Sequence, residues 1–292
     1  MSVSKYFETF CSNLRMSEDV VSKIQNRYHR IVQRINYDYY GIDSDSYHGL
    51  YVGSYGRGTE IWTSDIDILV QLPYATYEKF DNYSSNGQSA LLQEVKTVLQ
   101  KTYSTSHLRS DGQVVCINFD DKINFEIVPA FINENDSYTY PDTNNGGSWK
   151  ITDPRSEIDA MNDRNADTNK NLKRLCRMMR SWKEKCNVQM SGILIDTLAY
   201  QFIDDWEYKD KSYLYYDYMS RDFFSYLKGI DKNKEYWLAP GSHRYVYKDE
   251  NFQSKAGKAY DIAVDAIEYE TNGYTYSSKQ KWREIYGTKF PE

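Results

Sequence analysis

The sequence predicts an α+β protein in which an N-terminal lobe, built on a mixed sheet and one long helix, is followed by a helical lobe. Three observations carry that reading. Apolar positions recur at helical spacing over residues 18–39, strand-like alternation dominates between residues 49 and 132, and beyond residue 155 the pattern is helical almost to the end. A chain of 292 residues with 40% hydrophobic content can bury a core in each of two lobes, expected at 1–153 and 154–292.

The long helix is marked by Val20, Val21, Ile24, Tyr28, Ile31, Val32 and Ile35, with Ser17 placed to cap its start and Gly41 to stop it. A short strand (49–52), a turn with Gly53, Gly56 and Gly58, and a strand at 65–72 come next. Residues 88–103 read as a helix. Residues 114–119 and 123–132 alternate as a hairpin around Asp120-Asp121-Lys122. The stretch NENDSYTYPDTNNGGSWKITD, 133–153, is polar and glycine-bearing, and predicts a long loop or lid where the lobes join. Helices are expected at 155–164, 168–186, 190–206, 212–228, 251–270 and 277–286.

Composition narrows the function classes. A formal net charge of −6 argues against a protein whose main task is to coat nucleic acid, because phosphate contacts require surplus lysine and arginine. The 29 tyrosines suit half-buried surfaces as readily as base-stacking platforms. Cys11, Cys116, Cys176 and Cys186 are scattered without a C-x-x-C pair, which predicts reduced core thiols. No stretch approaches the roughly 18 uninterrupted apolar residues that span a bilayer, and MSVSKYFETF lacks a signal core. A cytoplasmic protein without a membrane partner is expected.

The chemistry concentrates in YVGSYGRGTEIWTSDIDILVQL, residues 51–72. In an extended strand residues i and i+2 share a face, so Asp65 and Asp67 project together while Ile66 and Ile68 point to the core. Adjacent carboxylates repel unless a cation sits between them, and hard oxygen ligands with no nearby histidine suit Mg²⁺ or Mn²⁺. Glu126, in INFEIVPAF, is positioned to be the third ligand, with Asn124 on its face and Ile123, Phe125 and Ile127 on the other. Paired aspartates at a sheet edge can also serve only to discourage edge pairing. The upstream turn favours the ligand reading: Gly53 lets backbone approach a phosphate, and Ser54, opening a short helix, offers a hydroxyl and amide groups to an anion.

A Gly-Ser pair, eleven residues, D-x-D on a strand and a later acid on a hairpin strand resemble the DNA-polymerase-β-like nucleotidyltransferases, through Gly53-Ser54, Asp65, Asp67 and Glu126. The early helix, LKRLCRMMRSWK and KWREIYGTKFP resemble, in turn, the spine helix, the helix with a basic residue before its tryptophan, and the closing segment of the CD-NTase family. Those proteins are bacterial relatives of cyclic GMP-AMP synthase and oligoadenylate synthase. The resemblance covers nearly the whole chain.

What the resemblance implies is a cyclic oligonucleotide synthase using two Mg²⁺ or Mn²⁺ ions held by Asp65, Asp67 and Glu126, with ATP, GTP, UTP or CTP as substrates. Arg180 stands where the family has a triphosphate-contacting lysine, a planar fork in place of a point charge. Lys183 lies on a neighbouring face, where it assists or is simply solvated. Ser191, or else Gly192, takes the place of a phosphate-contacting serine. Asn165 and Asn169, four apart, are expected to share a helical face and read a base edge, or to act as helix caps. The family further implies anti-phage (CBASS-type) signalling through a separate effector protein, and no obligate nucleic-acid activator is expected. The ending KFPE lacks an extended tail ending in glycine, which disfavours ubiquitin-like conjugation. Alternative readings are a linear oligonucleotide product, modification of an RNA end or a protein, and a catalytically silent nucleotide-binding scaffold or antitoxin.

Overall fold

The computed structural model describes residues 2–62 and 65–292. Helix α1 (Val3–Asn13) precedes the long helix α2 (Glu18–Tyr40). The Ser17 hydroxyl accepts the Val20 N–H at 3.4 Å to cap α2, and Gly41 ends it in the left-handed region at φ +67°. Strand β1 (Gly49–Tyr51), the short helix α3 (Gly53–Arg57), strand β2 (Asp65–Gln71), and helices α4 (Tyr74–Asp81) and α5 (Gly87–Gln100) follow. Strands β3 (His107–Asp111), β4 (Val114–Asn118) and β5 (Asn124–Ile132) come next, with Lys122 at φ +63° turning the β4–β5 hairpin where Asp120-Asp121-Lys122 was expected to.

Residues 133–153 are not the expected long loop. They carry strands β6 (Tyr138–Asp142) and β7 (Ser148–Thr152), an antiparallel hairpin that extends the end of β5. Tyr138 supplies the reason: its ring is buried in a small cluster with Leu69 and Ala130, so a largely polar segment is anchored by one aromatic.

The later chain forms α6 (Pro154–Asp167), α7 (Asn171–Lys185), α8 (Gly192–Asp205), α9 (Tyr216–Gly229), a small hairpin of β8 (Tyr236–Leu238) and β9 (Tyr245–Tyr247), α10 (Gln253–Thr271) and α11 (Thr275–Tyr286).

Packing divides the chain into two compact units. The first comprises Ser17–Gly56 and, of the described residues, 65–155. Its sheet runs β1-β2-β5-β4-β3; β2 and β5 are parallel and the other neighbours antiparallel. Ile66, Ile68 and Val70 of β2 and Phe125 and Ile127 of β5 are fully buried, as are Ile24 and Ile31 of α2 and Leu91 and Val95 of α5. Arg27 of α2 grips Asp121 with two hydrogen bonds of 2.9 and 2.7 Å, pinning the helix to the β4–β5 turn.

The second unit holds residues 2–16, Arg57–Trp62 and Ser156–Glu292. Helix α1 belongs here, unlike in the 1–153 and 154–292 division expected from the sequence, because Phe7 packs edge-on against Trp282 (5.2 Å between centroids) and Phe10 lies 4.7 Å from Tyr286. Trp182, Tyr216, Phe223 and Phe224 complete this aromatic core. Among the described residues no helix is long and apolar enough to cross a membrane. The four cysteines are free thiols, three buried and Cys186 half-buried.

Candidate active site

The site begins with the β2–β5 register. Asp67 lies directly opposite Glu126, and Asp65 opposite Asn124. Parallel strands about 4.8 Å apart in matching register point paired residues to the same face. The three carboxylates and Asn124 therefore form a two-by-two patch at one end of that face. Asn124 donates a hydrogen bond to Asp65 (3.2 Å) and so fixes one corner. Further along the same face, Leu69 and Ala130 are sealed under Tyr138, with Leu50, Val52 and Tyr140 packed around them. The carboxylates stand at the end of the face away from this apolar cluster.

The glycine turn closes against this patch. The Val52 N–H donates to the Asp67 carbonyl at 2.9 Å, and Gly53 adopts φ +61° beside the Asp67 side chain. A Cβ on Gly53 would stand 1.9 Å from an Asp67 carboxylate oxygen, so only glycine fits both the backbone angle and the approach. Ser54 follows in the first turn of α3.

Burial and then the neighbouring Asp65 charge raise the carboxyl pKa of Glu126, with Arg109 partly offsetting them. Arg109 was not among the expected site residues. It extends the row Arg109–Cys116–Glu126–Asp67 across β3, β4, β5 and β2, which became visible only with the short polar strand β3 in place.

Among the described residues, no three His, Cys, Asp or Glu side chains close tightly enough on one point to enclose an ion. The donor set nonetheless fits a hard divalent cation in kind, with three carboxylates on adjacent positions of paired strands.

The remaining expected residues all lie in the helical unit. Arg180 is a correction. The residue is only 7% exposed, and its guanidinium donates to Asp196, through bonds of 2.6 and 3.0 Å, and to the Gly192 carbonyl at 3.1 Å. These bonds hold the start of α8 in place. Ser191 is the residue that caps α8, its hydroxyl accepting the Leu194 N–H at 3.3 Å, and Gly192 is the first helical residue. Lys183 is half-buried on α7.

Asn165 and Asn169 do not share a helical face. Helix α6 stops at Asp167, and Asn169 and Lys170 both turn left-handed at φ +49° and +66°. The Asn165 side chain accepts the Lys173 N–H at 3.0 Å near the start of α7, while the Asn169 amide donates to the Asp210 carbonyl at 3.1 Å. Both serve local structure, and a shared base-reading role is withdrawn.

The family described as Second Messenger Oligonucleotide or Dinucleotide Synthetase domain (SMODS) matches residues 1–165. A curated protein of Bacillus cereus strain VD146, named a probable cyclic nucleotide synthase, is 24% identical over 195 residues, covering 63% of this chain. The match spans 56% of that relative's own length. Among solved structures, Escherichia coli MS115-1 CdnC, in complex with HORMA-deltaN, superposes with a TM-score of 0.69 at 16% identity, over 99% of this chain and 98% of that one. A mutant of the Vibrio cholerae di-nucleotide cyclase DncV gives 0.67 at 13% identity, over 99% and 87%. At these identities the structural likeness fixes the fold.

Proposed function

This chain belongs to the Second Messenger Oligonucleotide or Dinucleotide Synthetase family, and from that premise we propose that it joins nucleoside triphosphates into a cyclic di- or trinucleotide with release of pyrophosphate. The observation that supports this reading best is the placement of Asp67 opposite Glu126, with Asp65 on the same face and Gly53 against Asp67.

In this reading Asp65, Asp67 and Glu126 hold two Mg²⁺ or Mn²⁺ ions. When bound, the ions would activate the attacking hydroxyl and offset charge on the triphosphate and departing pyrophosphate. Gly53 lets the backbone approach the phosphates and the Ser54 hydroxyl donates to a phosphate oxygen. Glu126 takes the proton from a 2′ or 3′ hydroxyl as that oxygen bonds to the α-phosphorus, and the bond to pyrophosphate breaks with its electron pair. A second round on the linear intermediate closes the ring. Ser191, at the capped start of α8, is the residue we assign to phosphate contact in the helical unit, with Lys183 of α7 as a candidate second contact.

The product would act on a separate effector in cytoplasmic anti-phage signalling, with no nucleic-acid activator required. Incubating the chain with the four labelled NTPs and Mg²⁺ or Mn²⁺, followed by phosphatase and mass spectrometry, tests the reading. A phosphatase-resistant cyclic species is expected; linear species alone would overturn ring closure, and no product would overturn the enzymatic reading.

A further inference from the structure

The helical unit contains a cavity of about 610 Å³ whose wall includes none of the glycine-turn or carboxylate residues. Six cations line it: Lys5, Arg15, Lys170, Lys173, Arg174 and Arg177. Among the described lining residues Glu8 is the only acid, and it pairs with Lys5 at 2.9 Å. In a chain of net charge −6 such a concentration is unfavourable unless something anionic answers it.

The inner cations are held mostly by neutral acceptors, which orient a charge without cancelling it. Arg174 donates to the Tyr216 hydroxyl (3.2 Å) and the Asn169 carbonyl (3.3 Å) and lies 4.8 Å over the Tyr213 ring. Arg177 donates to the Gly58 and Glu60 carbonyls at 2.7 and 2.9 Å, with the Glu60 carboxylate a looser contact at 3.4 Å. Lys173 donates to the Asn162 side-chain oxygen, and burial and then the Arg177 charge depress its pKa. Arg15 and Lys170 are exposed at the rim and form no side-chain hydrogen bond or ion pair with other described residues.

We propose that this cavity is a second anion site that takes a small polyphosphate, of the size and charge of a nucleoside di- or triphosphate. A pocket of 300–1,000 Å³ is the usual size for a compact ligand, and fixed guanidiniums favour phosphate oxygens. A nucleic-acid backbone would call instead for a basic track along a surface. Arg177 ties the pocket to Gly58, four residues after Ser54 in the chain, so occupancy bears on the end of the glycine turn.

The test is calorimetric titration of the full chain with inorganic triphosphate in the presence of a chelator, which silences any divalent-dependent site and makes the result independent of catalysis. One equivalent should bind, the doubly substituted Arg15→Glu, Lys170→Glu chain should bind at least tenfold more weakly with an unchanged melting temperature, and Asp67→Asn should bind as the parent does. Absence of binding, equal binding by the double variant, or loss with Asp67→Asn would each overturn the proposal. So would binding of a 20-nucleotide RNA that triphosphate fails to displace.

Discussion

Two groups of carboxylates in this molecule are built from the same residue types and treated in opposite ways. In the helical unit, Asp196 is fully buried on α8 and accepts four hydrogen bonds: two from Arg180, one from Arg57 (2.9 Å) and one from Thr59 (2.9 Å). Burial alone would raise its carboxyl, but the two guanidiniums outweigh that cost and hold it down at about 2. On β2 and β5, Asp65, Asp67 and Glu126 stand on adjacent ladder positions, and burial and Asp65 push Glu126 up instead. A carboxylate that the fold supplies with cations holds the fold together. In the function proposed above, the carboxylates stacked beside one another are the ones that take a cation from outside.

The contrast breaks most sharply at Asp67. Asp67→Asn keeps the side-chain shape, removes one ligand and relieves like-charge repulsion. Product formation should fall roughly a thousandfold or more, since a metal clamp contributes several kcal/mol, while the melting temperature holds or rises. A labelled-NTP assay paired with a melting curve checks both halves; wild-type turnover would remove Asp67 from the chemistry.

Arg180→Ala should do the reverse. It strands a buried carboxylate that keeps Arg57 as a charged partner but loses Arg180, a loss of about 3 kcal/mol or somewhat more. Chemical denaturation should show a lower midpoint, and the pH dependence should identify the cause. A depressed carboxyl stabilises the fold above its ordinary pKa, and that contribution drains away as pH falls from about 4 toward about 2. The variant should show a weaker acid-side slope than the parent. A raised KM at unchanged stability would restore Arg180 to the triphosphate.

Gly53→Ala sits between the two. A Cβ there meets the Asp67 carboxylate at 1.9 Å and must also adopt φ +61°, a strain of about 1–2 kcal/mol. The carboxylate must swing away, so we expect turnover to drop on the order of a hundredfold with a modest loss of stability. Turnover within twofold of the parent would mean that the close approach has no part in the chemistry.

The sequence disclosed the carboxylate face more readily than the buried ion pair because strand geometry is local. Asp65, Asp67 and Glu126 were legible from a period of two, and Gly53 from its place before a strand of alternating acids. Arg180 was not, because its partner lies sixteen positions away on another helix. The available signal was Asp196 itself, an acid inside the apolar run GILIDTLAY, which demands a buried cation. Asn165 and Asn169 misled because spacing of four implies a shared face only if the helix continues, and two left-handed residues end it. Strands β6 and β7 hid in polar composition, and α1 was passed over although Tyr6, Phe7 and Phe10 mark its buried side.

Asp217 offers the finest test, because it is a second buried aspartate in the same unit as Asp196 but without a matching pair of guanidiniums. It accepts the Tyr218 N–H at 2.8 Å, and burial pushes its carboxyl up to about 6, with backbone hydrogen bonds and Arg221 only partly opposing and Glu270 adding to the rise. The sign is opposite to that of Asp196: the folded state binds the proton more tightly than the unfolded one. Its contribution to stability is therefore greatest below the ordinary pKa of 3.8 and is lost as pH rises through about 6. Asp217→Asn keeps an acceptor for Tyr218 and removes the charge. It should leave stability near pH 4 almost unchanged and raise it by about 1–3 kcal/mol at pH 7.5, a few degrees in Tm for a chain of this size. Equal shifts at both pH values would mean that ionised Asp217 is compensated in the folded state as fully as Asp196 is.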